Sequence, residues 1–166
     1  FAKPNIPSIL FLGFILIFLD IITGIQAQTN HPATDTGKMQ WFSDAKLGIF
    51  IHWGIYSTGK TSESWEFHNR HISHKDYMAQ INEFTAKNYK PEQWSSLIKA
   101  TGAKYVVITS KHHDGVALWN TSMNDLSIPK KSPAKKDVLT PFVNQLRKDS
   151  LKVGLYYSLI DWTYPD

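Results

Sequence analysis

The sequence contains no cysteine, which excludes a disulfide bond, a thiolate metal site and a cysteine nucleophile. The sequence also lacks a strong excess of either charge, because 18 basic residues against 14 acidic ones leave a net charge of only +4. That excess is too small to predict binding to nucleic acid. Hydrophobic residues make up 42% of the 166 residues, a fraction that suits one globular domain and argues against disorder.

Aromatic residues are plentiful, with six Trp, seven Tyr and nine Phe. Aromatic surfaces often bind sugars or bases, although most aromatic side chains belong to a core. We expect Trp41, Trp94 and Trp119 to be core residues. Any sugar-binding role must therefore rest on where particular aromatic residues lie in the fold.

Residues 1–27 have the pattern of a secretory signal peptide. Lys3 precedes an apolar run over residues 9–19, and small residues lead to a cleavage site after Ala27. A retained membrane anchor is the less favoured alternative, because the run is shorter than the roughly 20 residues of a spanning helix and Asp20 interrupts it. We therefore expect a secreted or periplasmic protein without stable membrane insertion, and a linker or disordered start at residues 28–38.

Three apolar runs, at residues 47–53, 104–110 and 152–158, predict β-strands. None alternates between apolar and polar residues, and continuous apolar strands are typical of a parallel sheet buried on both faces. Helical patterns lie between the runs. Pro91 suits the first turn of one helix and Gly102 its end, whereas Asp137 suits the cap of another.

The second of these helices places Val138, Phe142, Val143 and Leu146 on one face, and a weaker helix is expected over residues 75–84. The order of elements predicts an α/β fold in which crossover helices join parallel strands. A complete (β/α)₈ barrel needs roughly 250 residues. Residues 39–166 are thus predicted to be the N-terminal part of a TIM-type barrel, truncated at its C-terminus. A complete three-stranded α/β domain is less favoured, because its apolar edges would be uncovered.

Polar and aromatic residues follow each predicted strand. His52 follows the first, His112 and His113 follow the second, and Tyr156 lies near the end of the third. The carboxyl ends of parallel barrel strands meet at one rim, where functional residues gather. Imidazoles and hydroxyls beside aromatic faces suit a sugar ring. Taken alone, however, a histidine such as His52 after an apolar strand is more often a structural residue than a ligand-binding one.

The same residues allow a metal site as an alternative. His112, His113 and Asp114 all carry ligand atoms that metals accept. Adjacent ligands are an uncommon geometry, and the sequence has no pair of histidines spaced four residues apart on a helix. Asp114 followed by Gly115 is more simply a turn after the strand.

At these motifs the sequence resembles the α-L-fucosidases of glycoside hydrolase family 29. The resemblance covers residues 39–166 and rests on blocks in the family's order and spacing. These are Trp-Phe (41–42), Ala-Lys-Leu-Gly-Ile-Phe-Ile-His-Trp-Gly (45–54), Gly-Ala-Lys-Tyr-Val (102–106), Ser-Lys-His-His-Asp-Gly (110–115), Gly-Leu-Tyr-Tyr-Ser (154–158) and Asp-Trp (161–162). The 50–54 and 111–115 blocks are specific only in combination.

This resemblance implies a (β/α)₈-like catalytic barrel that hydrolyses terminal α-L-fucose from fucosylated glycans with retention of configuration and needs no cofactor or metal. It also implies which residues contact fucose. They are His52, His112, His113, Tyr156 and Trp65, together with a glutamate that is either Glu63 or Glu66, because both flank Trp65.

A retaining glycosidase uses two carboxyl groups roughly 5 Å apart, as nucleophile and as acid/base. The resemblance implies that both lie beyond Asp166, so this part of the chain is expected to be inactive alone. It further implies that Asp114 and Asp161 are not the catalytic carboxylates. The alternatives are a non-catalytic remnant that binds fucose or another carbohydrate, and a metal-dependent hydrolase using His112, His113 and Asp114.

Overall fold

A computed structural model describes residues 36–59 and 61–163 of the chain. Its helices are α1 (Thr36–Ala45), α2 (Trp65–His68), α3 (His74–Ala79), α4 (Pro91–Ala100), α5 (Ile128–Lys131) and α6 (Thr140–Lys148). The strands are β1 (Gly48–Ile51), β2 (Tyr105–Lys111) and β3 (Lys152–Tyr157), and 3-10 turns cover Ile55–Thr58 and Gln80–Glu83. Contacts divide the chain after Met39, and the description below concerns the unit from Gln40 onward.

The three strands form a parallel sheet in the order β1–β2–β3. Ile108 at its centre faces Ile51 on one side and Leu155 on the other. The central strand is the most buried, because Val106 and Ile108 have no exposed surface. The predicted parallel α/β arrangement is therefore confirmed. Both outer strands differ from the prediction of full burial, since Phe50 and Leu155 are more than half exposed.

Local sequence explains where the two longer crossover helices begin and end. Pro91 is the first residue of α4, where a missing N–H costs no hydrogen bond, and Gly102 follows its end with a φ of 83°. The Asp137 carboxylate accepts the backbone N–H groups of Leu139 and Thr140 at 2.9 and 2.8 Å before α6. Both helices are confirmed, but α6 begins later than predicted, so Val138 lies before it and Asp137 binds the chain two residues ahead of the N-cap residue, Leu139.

The weaker helix predicted over residues 75–84 is real but shorter. Helix α3 begins after Ser73, whose hydroxyl accepts the backbone N–H of Asp76 at 3.0 Å, and it tightens into a 3-10 turn at Gln80. Tyr77, on the buried side of α3, has no exposed surface. This short helix anchors the long connection between β1 and β2.

One apolar core lies between the sheet and the helices. Its fully buried side chains include Ile55, Tyr77, Val106, Ile108, Ile128, Val138, Phe142 and Leu146. Trp94 and Trp119 pack against this core as expected. Trp41 does not, because it is 39% exposed. It instead packs edge-on against the Tyr105 ring, with the Lys152 ammonium 4.9 Å from its own ring.

The predictions for the N-terminal residues fall almost wholly outside the described residues. The predicted signal peptide, residues 1–27, lies there entirely, and so does the predicted linker apart from its last residues. Helix α1 begins at Thr36, before the predicted start of the barrel at Met39. Among the described residues, we find no helix with the length and apolarity needed to cross a membrane.

Candidate functional site

Four ring systems meet where the parallel strands end. The His112 ring lies in the middle, with its centroid 4.9 Å from that of His52, 4.5 Å from that of His113 and 5.6 Å from that of Tyr156. The Tyr156 ring is stacked on it at an interplanar angle of 26°. The two adjacent histidines can converge because β2 ends at Lys111, so both lie beyond the regular strand.

A buried hydroxyl of the central strand positions His52. Thr109 accepts the backbone N–H of Trp53 at 2.8 Å and donates to the carbonyl of the same residue at 2.6 Å. These two bonds fix the chain after β1 against β2. His52 itself is exposed, and its ring is free to contact a ligand at the open end of the sheet.

The Nδ1 atom of His112 faces the segment before α2. The Ser64 hydroxyl lies 2.5 Å from that nitrogen, and Glu63 Oε2 lies 3.9 Å from it. The backbone N–H of Trp65 donates to the same carboxylate oxygen at 3.1 Å and so orients Glu63. Burial lowers the pKa of His112 to about 4, with repulsion from neighbouring cations as a further cause, so its imidazole is neutral at pH 7.

His113 belongs to an aromatic wall on the other side of His112. Its ring centroid lies 4.3 Å from that of Trp162 and 5.9 Å from that of Trp65, which meets it edge-on at 90°. Its Nδ1 atom lies 2.5 Å from the hydroxyl of Ser158, a residue just after β3. The wall continues outward to His68, whose ring stacks on Trp162 at 4.1 Å and 12°.

The structure distinguishes the two glutamates, Glu63 and Glu66, between which the sequence could not choose. Glu63 is the one beside His112. Glu66 instead pairs with His71, with its Oε2 atom 3.3 Å from Nδ1 of that exposed histidine. The structure therefore brings six of the seven predicted residues around one site and places Glu66 at its periphery.

Asp114 does not join the two histidines as a ligand. Its carboxylate is buried, accepting the Tyr77 hydroxyl and the backbone N–H of Val116, each at 3.0 Å. Burial raises its pKa to about 6. Among residues 36–59 and 61–163, no group of three or more acidic or histidine side chains is arranged to hold a metal ion. Asp114 with Gly115 forms the expected turn, in which the Gly115 N–H donates to the His112 carbonyl at 3.1 Å.

Sequence reasoning did not single out Tyr56, Ser64 or His68 as residues of this site. Tyr56 is buried and packs its ring 5.2 Å from that of His52. Ser64 and His68 flank Trp65 in the chain but carry no motif of their own. The spacing of four residues between Ser64 and His68 would place both on one face of a helical turn that contains Trp65, and this was a signal in the sequence.

Imidazoles, a carboxylate and aromatic faces around one opening are suited to a sugar, because hydroxyls need both donors and acceptors while C–H faces pack on rings. A sequence profile described as alpha-L-fucosidase matches residues 23–166 of the chain. The chain belongs to the α-L-fucosidase family. The family resemblance inferred from the sequence is therefore confirmed.

Several α-L-fucosidases of known function are similar to this chain in amino-acid sequence. Human tissue alpha-L-fucosidase is 29% identical over 99% of this chain and 40% of its own length. Rat plasma alpha-L-fucosidase is 36% identical over 75% of this chain and 31% of its own length. The chain thus spans well under half the length of these relatives.

Solved fucosidase structures share the fold. Alpha-L-fucosidase isoenzyme 1 from Paenibacillus thiaminolyticus is 39% identical with a TM-score of 0.70, covering 78% of this chain and 30% of that one. The Thermotoga maritima alpha-fucosidase in complex with fucose is 36% identical with a TM-score of 0.63, covering 75% of this chain and 35% of that one. The described α/β fold therefore matches part of a fucosidase catalytic domain.

Proposed function

We propose that the complete protein containing this chain hydrolyses terminal α-L-fucose from fucosylated glycans with retention of configuration. The observation that carries the proposal is the cluster of rings around His112 at the carboxyl ends of the strands. The family supports it, as does a similar structure that is described as a complex with fucose. In this proposal the described residues hold the sugar.

Each residue of the cluster has a distinct role. The imidazoles of His52, His112 and His113 hydrogen-bond the fucose hydroxyls, because each ring has two nitrogen atoms that can take part in hydrogen bonds. Tyr156 and Trp65 supply aromatic faces for the C–H groups of the sugar. The Glu63 carboxylate accepts a bond from a hydroxyl near His112, and such charged bonds are the stronger ones.

Retention requires a nucleophilic carboxylate and a second carboxyl that acts first as acid and then as base. Neither role is given to Asp114 or Asp161. Asp114 is buried under Tyr77, and Asp161 is engaged with Lys111 at 3.1 Å and with Thr163. We propose that the catalytic carboxyls follow Asp166. The sugar contacts described here then strengthen as the ring distorts toward the transition state.

The test is a chromogenic α-L-fucoside assay on the complete gene product. His112→Ala should lower kcat/KM by about 100-fold or more, because one residue contacts three parts of the site, while the unfolding transition is retained. His71→Ala is the matched control, since His71 is an exposed histidine outside the cluster. Equal kcat/KM for wild type and His112→Ala would overturn the proposal.

Two further outcomes separate the alternatives. Activity that survives a chelator fits the proposal, whereas activity that is lost and restored by added metal supports a metal-dependent hydrolase. Fucose binding without hydrolysis supports a carbohydrate-binding remnant.

We also propose that the protein is secreted or periplasmic after removal of residues 1–27. N-terminal sequencing of the exported protein tests this proposal.

A further inference from the structure

Each of the two adjacent histidines has its Nδ1 atom against a buried serine hydroxyl. Ser64 lies 2.5 Å from Nδ1 of His112, and Ser158 lies 2.5 Å from Nδ1 of His113. The two serines come from different loops, one after β1 and one after β3, and both are buried. The bond made at one ring nitrogen of a histidine sets whether the other nitrogen carries the proton.

The proton of the Ser158 hydroxyl already has an acceptor. It is donated to the carbonyl of Ile160 at 2.7 Å. A serine hydroxyl has one proton, so toward His113 its oxygen must accept. Nδ1 of His113 therefore carries the proton, and Nε2 of this ring is left with a free lone pair.

The Ser64 hydroxyl is in the opposite situation. Among the described residues, its oxygen has no hydrogen-bond partner other than His112 Nδ1. Ser64 has no exposed surface, and a buried hydroxyl proton without an acceptor costs about 1 to 3 kcal/mol. The proton therefore goes to Nδ1 of His112. Glu63 Oε2, at 3.9 Å from Nδ1, is beyond hydrogen-bond distance and does not compete.

We propose that Ser64 and Ser158 hold His112 and His113 in opposite tautomers, so that Nε2 of His112 donates a hydrogen bond and Nε2 of His113 accepts one. Both serines are positioning residues, because they act through the histidines. The ring centroids of the two histidines are 4.5 Å apart, so one ligand can meet both. The pair then recognises a ligand that presents an acceptor oxygen to one ring and a donor hydroxyl to the other.

The tautomers rest on the structure alone, whereas their use on fucose hydroxyls rests on the proposed function. If the sugar binds here, the hydroxyl that faces His113 must donate and the hydroxyl that faces His112 must accept. Replacement of a hydroxyl by fluorine removes its proton but keeps a weak acceptor. Fluorine should therefore be tolerated opposite His112 and rejected opposite His113.

The direct test is ¹⁵N NMR of the histidine rings in the complete, ligand-free protein, which reports the ring nitrogen that carries the proton. One ring should carry its proton on Nε2 and its neighbour on Nδ1. Ser64→Ala removes the donor at Nδ1 and should release the His112 proton from Nε2, and Ser64→Thr should restore the wild-type pattern. Ser158→Ala should release the proton of His113 from Nδ1.

Ser127→Ala is the matched control, since it also removes a fully buried hydroxyl but one with no partner among the described residues. It should leave both tautomers unchanged. Identical tautomers on the two rings of the wild type, or a His112 signal that Ser64→Ala does not move, would overturn the inference.

A binding measurement separates this inference from the proposed function. Deoxy and deoxyfluoro analogues of methyl α-L-fucoside are compared as ligands at each hydroxyl position. At the hydroxyl position that faces His112, the deoxyfluoro analogue should bind about 10-fold more tightly than the deoxy analogue. At the position that faces His113, the two analogues should bind equally. If no fucoside binds while the NMR tautomers are opposite, the proposed function fails and the inference stands. If fucosides bind and the tautomers are identical, only the inference fails.

Discussion

Lys111 and Asp161 form an ion pair with 3.1 Å between Nζ and Oδ2, and the lysine side chain is only 5% exposed. Lys111 ends β2, and Asp161 lies in the loop that follows β3. In that loop the backbone N–H of Trp162 donates to the carbonyl of His113 at 2.8 Å. The ion pair therefore holds the loop that carries Trp162 against the end of β2, which leads directly into the two histidines.

Removal of the lysine charge should loosen this loop. Lys111→Met keeps the packing of the side-chain stem but leaves the partly buried Asp161 carboxylate without its cation. We expect a loss of about 2 to 4 kcal/mol in the free energy of unfolding, measured by urea denaturation of the complete protein. Lys130→Met is the control, because Lys130 pairs with the exposed Asp125 and loss of a pair in solvent should lower stability far less. Equal losses would contradict the anchoring role.

Gly115 lies against the same loop, where the backbone conformation and the available space both favour glycine. Its φ is 76°, and an added Cβ would lie 2.8 Å from Oδ1 of Asp161. Gly115→Ala should therefore combine backbone strain of about 1 to 2 kcal/mol with a steric clash against Asp161. Gly102→Ala isolates the strain, since Gly102 has a φ of 83° and nothing within 4 Å of an added Cβ. The clash predicts a lower Tm and weaker fucoside binding for Gly115→Ala than for Gly102→Ala, and the reverse order would show that the contact is unimportant.

The two glutamates beside Trp65 offer a matched pair of variants. Glu63→Gln removes the carboxylate next to His112 and should lower kcat/KM on an α-L-fucoside by about 10- to 100-fold, the range expected for loss of a charged hydrogen bond. Glu66→Gln alters only the peripheral pair with His71 and should change kcat/KM by less than about 3-fold. A larger loss for Glu66→Gln would mean that the sugar approaches from the periphery of the site.

The sequence predicted the strands, the helices and the polar rim after the strands because each depends on local patterns, whereas Trp65 and the glutamates beside it came from the family resemblance. Continuous apolar runs mark a strand buried on both faces, and Pro91 and Gly102 mark the limits of a helix. The choice between Glu63 and Glu66 could not be made in this way, because it depends on how the short helix α2 is oriented. The buried roles of Ser64 and Tyr56 depend on packing across the sheet ends, which leaves no periodic signal in the chain.

Asp114 and His112 should give opposite contributions to stability between about pH 4 and pH 6.5. Burial raises the pKa of Asp114 from 3.8 to about 6, so the stability it contributes is present at low pH and is lost as the pH rises from about 4 to about 6. Burial lowers the pKa of His112 from 6.5 to about 4, so its contribution is present above pH 6.5 and is lost as the pH falls toward 4.

In the wild type these two contributions largely cancel. Asp114→Asn removes one of them while keeping an acceptor for the Val116 N–H and a partner for the Tyr77 hydroxyl. Relative to the wild type, the variant should gain stability as the pH rises from about 4 to about 6, by at most about 3 kcal/mol. Urea denaturation at several pH values across this window measures the difference. Asp44→Asn, a change at an exposed helical carboxylate, is the control. Parallel pH profiles for wild type and Asp114→Asn would show that the buried carboxyl titrates at its ordinary pKa.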